Sequence, residues 1–174
     1  MSTLKIINDQ STRRAFGDRS FSKVTLAINA ASAATVKTTG AAIVSVDGVF
    51  ASVAALAAQS IAITHGMNGS AVGTGPAAYV QPISTTVYYV VALSLAGVVA
   101  VVQGGYAGQV VTLPQGVSFT SAGEMPAVPV GYAPIGYIKV VTNGATTFTP
   151  ATTALDAAGL TVTYVDVSVL PAAI

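Results

Sequence analysis

Apolar and polar positions alternate over short runs along most of this chain, and turn residues separate the runs before a helical period can establish itself. Ala41–Val46 and Val49–Val53 flank Asp47-Gly48, a dipeptide suited to a two-residue hairpin turn because both positions tolerate positive φ. Ser52–Ile63 is alanine-rich enough for a helix, but Ile61-Ala62-Ile63-Thr64 reads better as a strand. His65–Pro76, with four glycines between Gly66 and Gly75, reads as a loop. Strands are expected again at Thr85–Leu93, Val98–Gln103, Val110–Leu113 and Val117–Thr120. Pro126, Pro129 and Pro134 make 121–135 a link. Tyr137–Thr142 and Thr146–Thr149 flank Asn143-Gly144, the strongest short-range hairpin signal. Leu160–Val167 is a final strand with Thr161 and Thr163 on one face.

These runs predict an all-β fold, a sandwich or barrel-like domain of roughly eight to ten short strands. Many strands are apolar on both faces, as burial of both requires. At 174 residues the chain suits one domain. Residues 1–35 are expected as an extended N-terminal arm and connector, and residues 36–174 as a single β domain.

Charge changes this picture. Hydrophobic residues make up 52% of the chain and charged ones only 7%, against about 25% in ordinary globular chains. From Gly48 to Gly123 there is no Lys, Arg, Asp or Glu. A monomer normally carries mixed charges over its surface, so a stretch this neutral implies cover by neighbouring copies, a homo-oligomer with a trimer favoured. A membrane span is the competing explanation. Val87–Val102 is shorter than the roughly 20 residues a spanning helix needs, and Gly97 interrupts it. The aromatic girdles of a membrane barrel are not evident either. Arg13, Arg14, Arg19 and Lys23 before Val24–Val36 imitate an export signal, but Asp9 and Asp18 lie in the basic part and Thr25, Asn29 and Ser32 interrupt the apolar one.

Few residues could carry catalysis. His65 is the sole histidine and lies in the glycine-rich loop. No nucleophile-elbow motif supports a triad built on it. The six acids, Asp9, Asp18, Asp47, Glu124, Asp156 and Asp166, are scattered, with no spacing that pairs two carboxylates in a cleft. Asp47 and Asp156 are accounted for by turns. With one His and no Cys, no metal site is expected, and the absence of cysteine also removes disulfides and thiol nucleophiles. The glycines at 69, 73 and 75 lack the lysine and helix of a phosphate-binding loop. The seven tyrosines could form a sugar platform, although tyrosine is also an ordinary strand residue. The expectation is a protein that is not an enzyme and has no cofactor or small-molecule substrate.

The N-terminal segment is different. Five of the seven basic residues lie in it, Lys5, Arg13, Arg14, Arg19 and Lys23, with Phe16 and Phe21 among them. It lacks the dense basic run of a nucleic-acid tail. Arginine forks that pair with carboxylates, beside aromatic anchors, suit docking on another protein. Lys5, Arg13, Arg14, Phe16, Arg19, Phe21 and Lys23 are therefore the expected attachment residues.

The last third carries a resemblance. Pro126-Ala-Val-Pro129 is followed by Val130-Gly131-Tyr132-Ala-Pro134-Ile-Gly136-Tyr137-Ile138-Lys139-Val-Val. Then come Asn143-Gly144, Thr147-Phe148-Thr149, Leu155-Asp156, Thr161-Val-Thr163-Tyr164-Val-Asp166 and Leu170-Pro171. This resembles the closing pattern of tailed-bacteriophage virion proteins, namely head decoration (capsid cement) proteins or short head-fibre subunits. The resemblance implies a structural protein on the outer surface of the virion, with the major capsid protein as partner; the charge pattern and run lengths themselves point to neither nucleic acid nor membrane as a partner. The charge pattern adds attachment through the N-terminal arm. The alternative is a fibre, spike or adhesin subunit that recognises a host surface.

Overall fold

A computed structural model describes residues 17–72, 79–112 and 118–168. They form an all-β fold of twelve strands in three sheets, with no α-helix among the described residues. The smaller sheets are three-stranded. One contains β1 (Arg19–Ser20), β4 (Ala42–Val46) and β5 (Val49–Val53), and the other β2 (Leu26–Ile28), β3 (Thr35–Thr38) and β6 (Gln59–Ser60). The large sheet runs in the order β10 (Ser118–Glu124), β9 (Gly105–Thr112), β7 (Thr86–Leu93), β11 (Ala133–Thr142), β12 (Leu160–Asp166). Its sixth strand, β8 (Val99–Gln103), pairs with β7.

Local chemistry explains several joints. Asp47 and Gly48 have φ of 51° and 76°, and Val46 faces Val49 across the turn. That is the geometry a two-residue hairpin requires. Between β7 and β8, Gly97 takes φ 79° and the Ser94 hydroxyl oxygen accepts a hydrogen bond from the Val98 amide at 3.1 Å. β8 and β9 lie end to end along one edge of β7. Gln103 faces Tyr89, the Gly104 amide donates to the Tyr88 carbonyl at 2.8 Å, and Ala107 faces Thr86. Beyond that point β9 continues as a ribbon with β10.

The shared core lies between one face of the large sheet and the two small sheets. Val87, Tyr89, Val91 and Leu93 of β7 and Ile138 and Val140 of β11 meet Val24, Leu26, Val36, Val44, Val46 and Ile61 there. Leu160, Val162 and Tyr164 of β12 pack against the same cluster, which puts Thr161 and Thr163 together on the opposite face, as expected, and there both are exposed. Burying side chains of this size stabilises a fold by about 1.5–3 kcal/mol each.

Three acids clasp distant segments instead of facing solvent alone. The Asp166 carboxylate accepts from the Leu26 amide, Asp156 from Ser32 and Asp18 from Asp47, each at 2.8 Å. Gln81 is fully buried and has both ends of its amide satisfied. Its Nε2 donates to the carbonyls of Thr85 and Val140 at 3.0 Å each, and its Oε1 accepts from the Tyr89 hydroxyl at 3.1 Å. The Gln81 backbone also exchanges hydrogen bonds with Phe148, whose ring meets Tyr89 edge-on at 5.6 Å. A buried amide satisfied in this way fixes one arrangement of the strands around it.

Several expectations need correction. Asn143-Gly144 does not turn a hairpin: β11 pairs with β12 and β7, with Thr142 facing Leu160. Asn143 instead spends its side-chain oxygen on the amides of Ala145 and Thr146, at 2.9 and 2.8 Å. That local bond starts a longer excursion. Ile61-Ala62-Ile63-Thr64 is not a strand. β6 falls at Gln59–Ser60, and Ile61 is buried in the core. The link expected at 121–135 is shorter, since β10 runs to Glu124 and β11 starts at Ala133. Twelve strands exceed the eight to ten expected because pairs as short as Arg19–Ser20 and Gln59–Ser60 carry no periodic signal. Of the segment expected as arm and connector, residues 1–16 lie outside the described residues. Residues 17–35 carry β1, β2 and the core residue Val24, so these β elements begin well before residue 36.

Candidate attachment face

Of the seven expected attachment residues, Lys5, Arg13, Arg14 and Phe16 lie outside the described residues. Arg19, Phe21 and Lys23 are described. The structure brings Arg19 and Phe21 onto one face and leaves Lys23 exposed just beyond it.

That face is built by cross-strand register. Arg19 of β1 faces Ser45 of β4, and Ser45 faces Phe50 of β5. One row thus reads Arg19, Ser45, Phe50 across the sheet. The next row begins with Phe21, whose amide donates to the Ile43 carbonyl at 2.8 Å, and continues from Ile43 to Ser52. Partners share a face, and the alternate residues Ala42, Val44 and Val46 are buried in the core. The outer face therefore belongs to the two rows. The rings of Phe21 and Phe50 meet diagonally at 5.3 Å, tilted by 44°. Phe50 remains 54% exposed and Ile43 46%, a large apolar display for so small a sheet. Ser45, in the row between Arg19 and Phe50, is fully buried and its hydroxyl has no hydrogen-bond partner.

Ile43 and Phe50 were not singled out by sequence reasoning. A signal for Phe50 existed. A two-residue turn at Asp47-Gly48 sets Ser45 opposite Phe50, so a phenylalanine had to share the face of a serine rather than that of Val44 and Val46. Arg19 and Phe21 could not be placed beside it from sequence, because the pairing of β1 with β4 spans a long stretch of chain.

Elsewhere several polar groups are shaped by burial, and the buried Gln103 Oε1 has no hydrogen-bond partner. Burial first, and the neighbouring Tyr106 second, push the Tyr89 phenol well above its ordinary range. Burial, with a smaller contribution from the Asp156 charge, pushes Tyr164 up to about 12. His65 is partly buried. Its Nδ1 lies 2.9 Å from the Thr64 hydroxyl and its ring meets Tyr132 edge-on at 5.4 Å. Among the described residues no group of three His, Cys, Asp or Glu could hold a metal ion, and no helix is long and apolar enough to cross a membrane. A groove open to solvent between β5 and the β7–β8 turn is lined by Val53, Leu56, Leu95 and Gly97, with Ser52 as its only side-chain hydroxyl.

What this arrangement can do is bind. Two phenylalanine rings and an isoleucine supply desolvation, and an arginine at their edge supplies direction, the combination that concentrates energy at protein–protein contacts. Comparison with protein-family models, with curated proteins and with solved structures finds no match.

Proposed function

We propose that this chain is a structural virion protein of a tailed bacteriophage, which decorates the outer surface of the assembled capsid and stabilises it without catalysing a reaction. Its partner is the major capsid protein. Attachment uses the charged N-terminal segment together with the face of β1, β4 and β5. The observation that carries this reading is the Phe21–Phe50 pair, an exposed ring against a half-buried one, beside Arg19 at the point where the basic segment enters the fold. Along the sequence, basic and aromatic residues thus run on from that segment into β1 and the stretch just after it. The resemblance of the last third to virion proteins supplies the choice of partner.

The test is binding to purified capsids that lack the protein, with the full chain, a chain lacking residues 1–16, and Phe21→Ser/Phe50→Ser compared side by side. The reading expects retention of the full chain and loss of at least tenfold in affinity for each variant, about 1.4 kcal/mol or more. Phe50 is exposed and Phe21 half-buried, and neither belongs to the core cluster; a melting curve for each variant shows that it still folds. Equal binding by all three would overturn attachment by this route.

A further inference from the structure

Between Gly48 and Leu155 the chain has only two charged side chains, Glu124 and Lys139. The sheet register places both at one level of one face. Lys139 of β11 faces Tyr88 of β7 on one side and Thr163 of β12 on the other. On the far side of Tyr88, β8 gives way to β9, and Gly105 faces Glu124 of β10. Ala107 shares the face of Thr86, its partner, so Gly105 and Glu124 share it too. Because residues two apart on a strand lie on one face, Tyr88 belongs to it as well. A single transverse row therefore reads Thr163, Lys139, Tyr88, Gly105, Glu124.

This is the face turned away from the core. Ile138 and Val140, which alternate with Lys139, are fully buried, whereas Thr163 and Glu124 are exposed. Tyr137, two residues from Lys139 on β11 and therefore on the same face, sets its ring edge-on to Tyr88 at 5.8 Å. Lys139 has no carboxylate beside it in the register. Three strand spacings separate it from Glu124, about 14 Å at roughly 4.8 Å per strand, so the two charges stand apart as the ends of a platform. The Glu124 end is built closely. A Cβ on Gly104 would collide with the Glu124 carbonyl oxygen, so glycine is what lets β10 lie there.

We propose that this face binds a short oligosaccharide that carries a carboxylate on its terminal sugar. The Lys139 ammonium takes the carboxylate as a charge-assisted hydrogen bond. The Tyr88 and Tyr137 rings lie against the apolar faces of the sugar rings, and their hydroxyls and that of Thr163 pair with sugar hydroxyls. Glu124, at the far end, accepts from hydroxyls and repels a second acid group, which selects a ligand with its charge at one end. Neither the capsid reading nor the face of β1, β4 and β5 is needed for this site.

The experiment uses the full chain on an array of oligosaccharides ending in a sialic or uronic acid, each beside its neutral counterpart, followed by titration calorimetry with the best acidic probe. The expected result is retention of acidic over neutral probes. Lys139→Gln should lose about tenfold in affinity for the acidic probe and leave the neutral one unchanged, and Thr163→Val should weaken both. Each variant is checked for an unchanged melting curve. No acidic probe retained above its neutral counterpart would overturn the proposal, and so would binding that Lys139→Gln leaves intact.

Discussion

Tyrosine is the residue through which this interior handles polarity, and its titration is the clearest handle on stability. Tyr89 and Gln81 satisfy each other inside the core, and ionising the phenol there would strand a charge without solvent. Tyr164 is raised to about 12, with burial as the main cause and Asp156 as the lesser. The sign follows from linkage. A folded pKa above the unfolded value near 10 means the folded state holds its proton longer. The stabilising contribution is therefore complete below pH 10 and is lost as pH rises from about 10 to about 12. Tyr164→Phe should flatten that part of the fall in melting temperature between pH 9 and 12, measured by circular dichroism. A mutant curve parallel to the parent across this interval would contradict the assignment.

At the scale of elements, the joint between β8 and β9 is the most demanding. Gly104 is packed so tightly on the Glu124 carbonyl, with Pro126 and the Tyr88 carbonyl beside it, that any side chain must push β10 away. Because the obstacle is backbone, it cannot rotate aside. Gly104→Ala should cost about 1–3 kcal/mol, the usual range for overpacking a closed site, measured by urea denaturation. Gly144→Ala is the useful contrast. Its added Cβ would meet nothing nearer than the Ser84 hydroxyl at 3.8 Å, so its midpoint should move little. The contrast also shows why Asn143-Gly144 misleads as a hairpin signal. The dipeptide's turn propensity is real, but β12 occupies the edge of β11 that a local return strand would need.

For the molecule as a whole, surface chemistry matters most. Val130 is 94% exposed at a loop tip, and Val98, Met125 and Met67 are exposed as well, in the part of the chain that has almost no charge. Such apolar surface is covered in most proteins that carry it. We expect a closed homo-oligomer, a trimer as first choice. Sedimentation velocity at micromolar concentration should give the mass of the assembly, and Val130→Asp should shift it toward the monomer. A parent chain that sediments as a stable monomer would refute the expectation.

The sequence by itself determined the fold class, because strand periodicity and turn chemistry act over a few residues. The Asp47-Gly48 hairpin, the β7–β8 pair and the outward Thr161 and Thr163 all follow from neighbours in the chain. It also determined where charge is scarce, which is a matter of counting. Only the tertiary structure decided which strands are partners. β1 reaches β4, β11 lies between β7 and β12, and Asp166 reaches Leu26 through register across long loops. Those pairings set both surfaces. Phe21 meets Phe50, and Lys139 shares a row with Tyr88 and Glu124, because strands remote in sequence lie side by side. Loop closure over such distances costs little that varies with local sequence, so the choice among partners rests on the packed core and leaves no short-range mark.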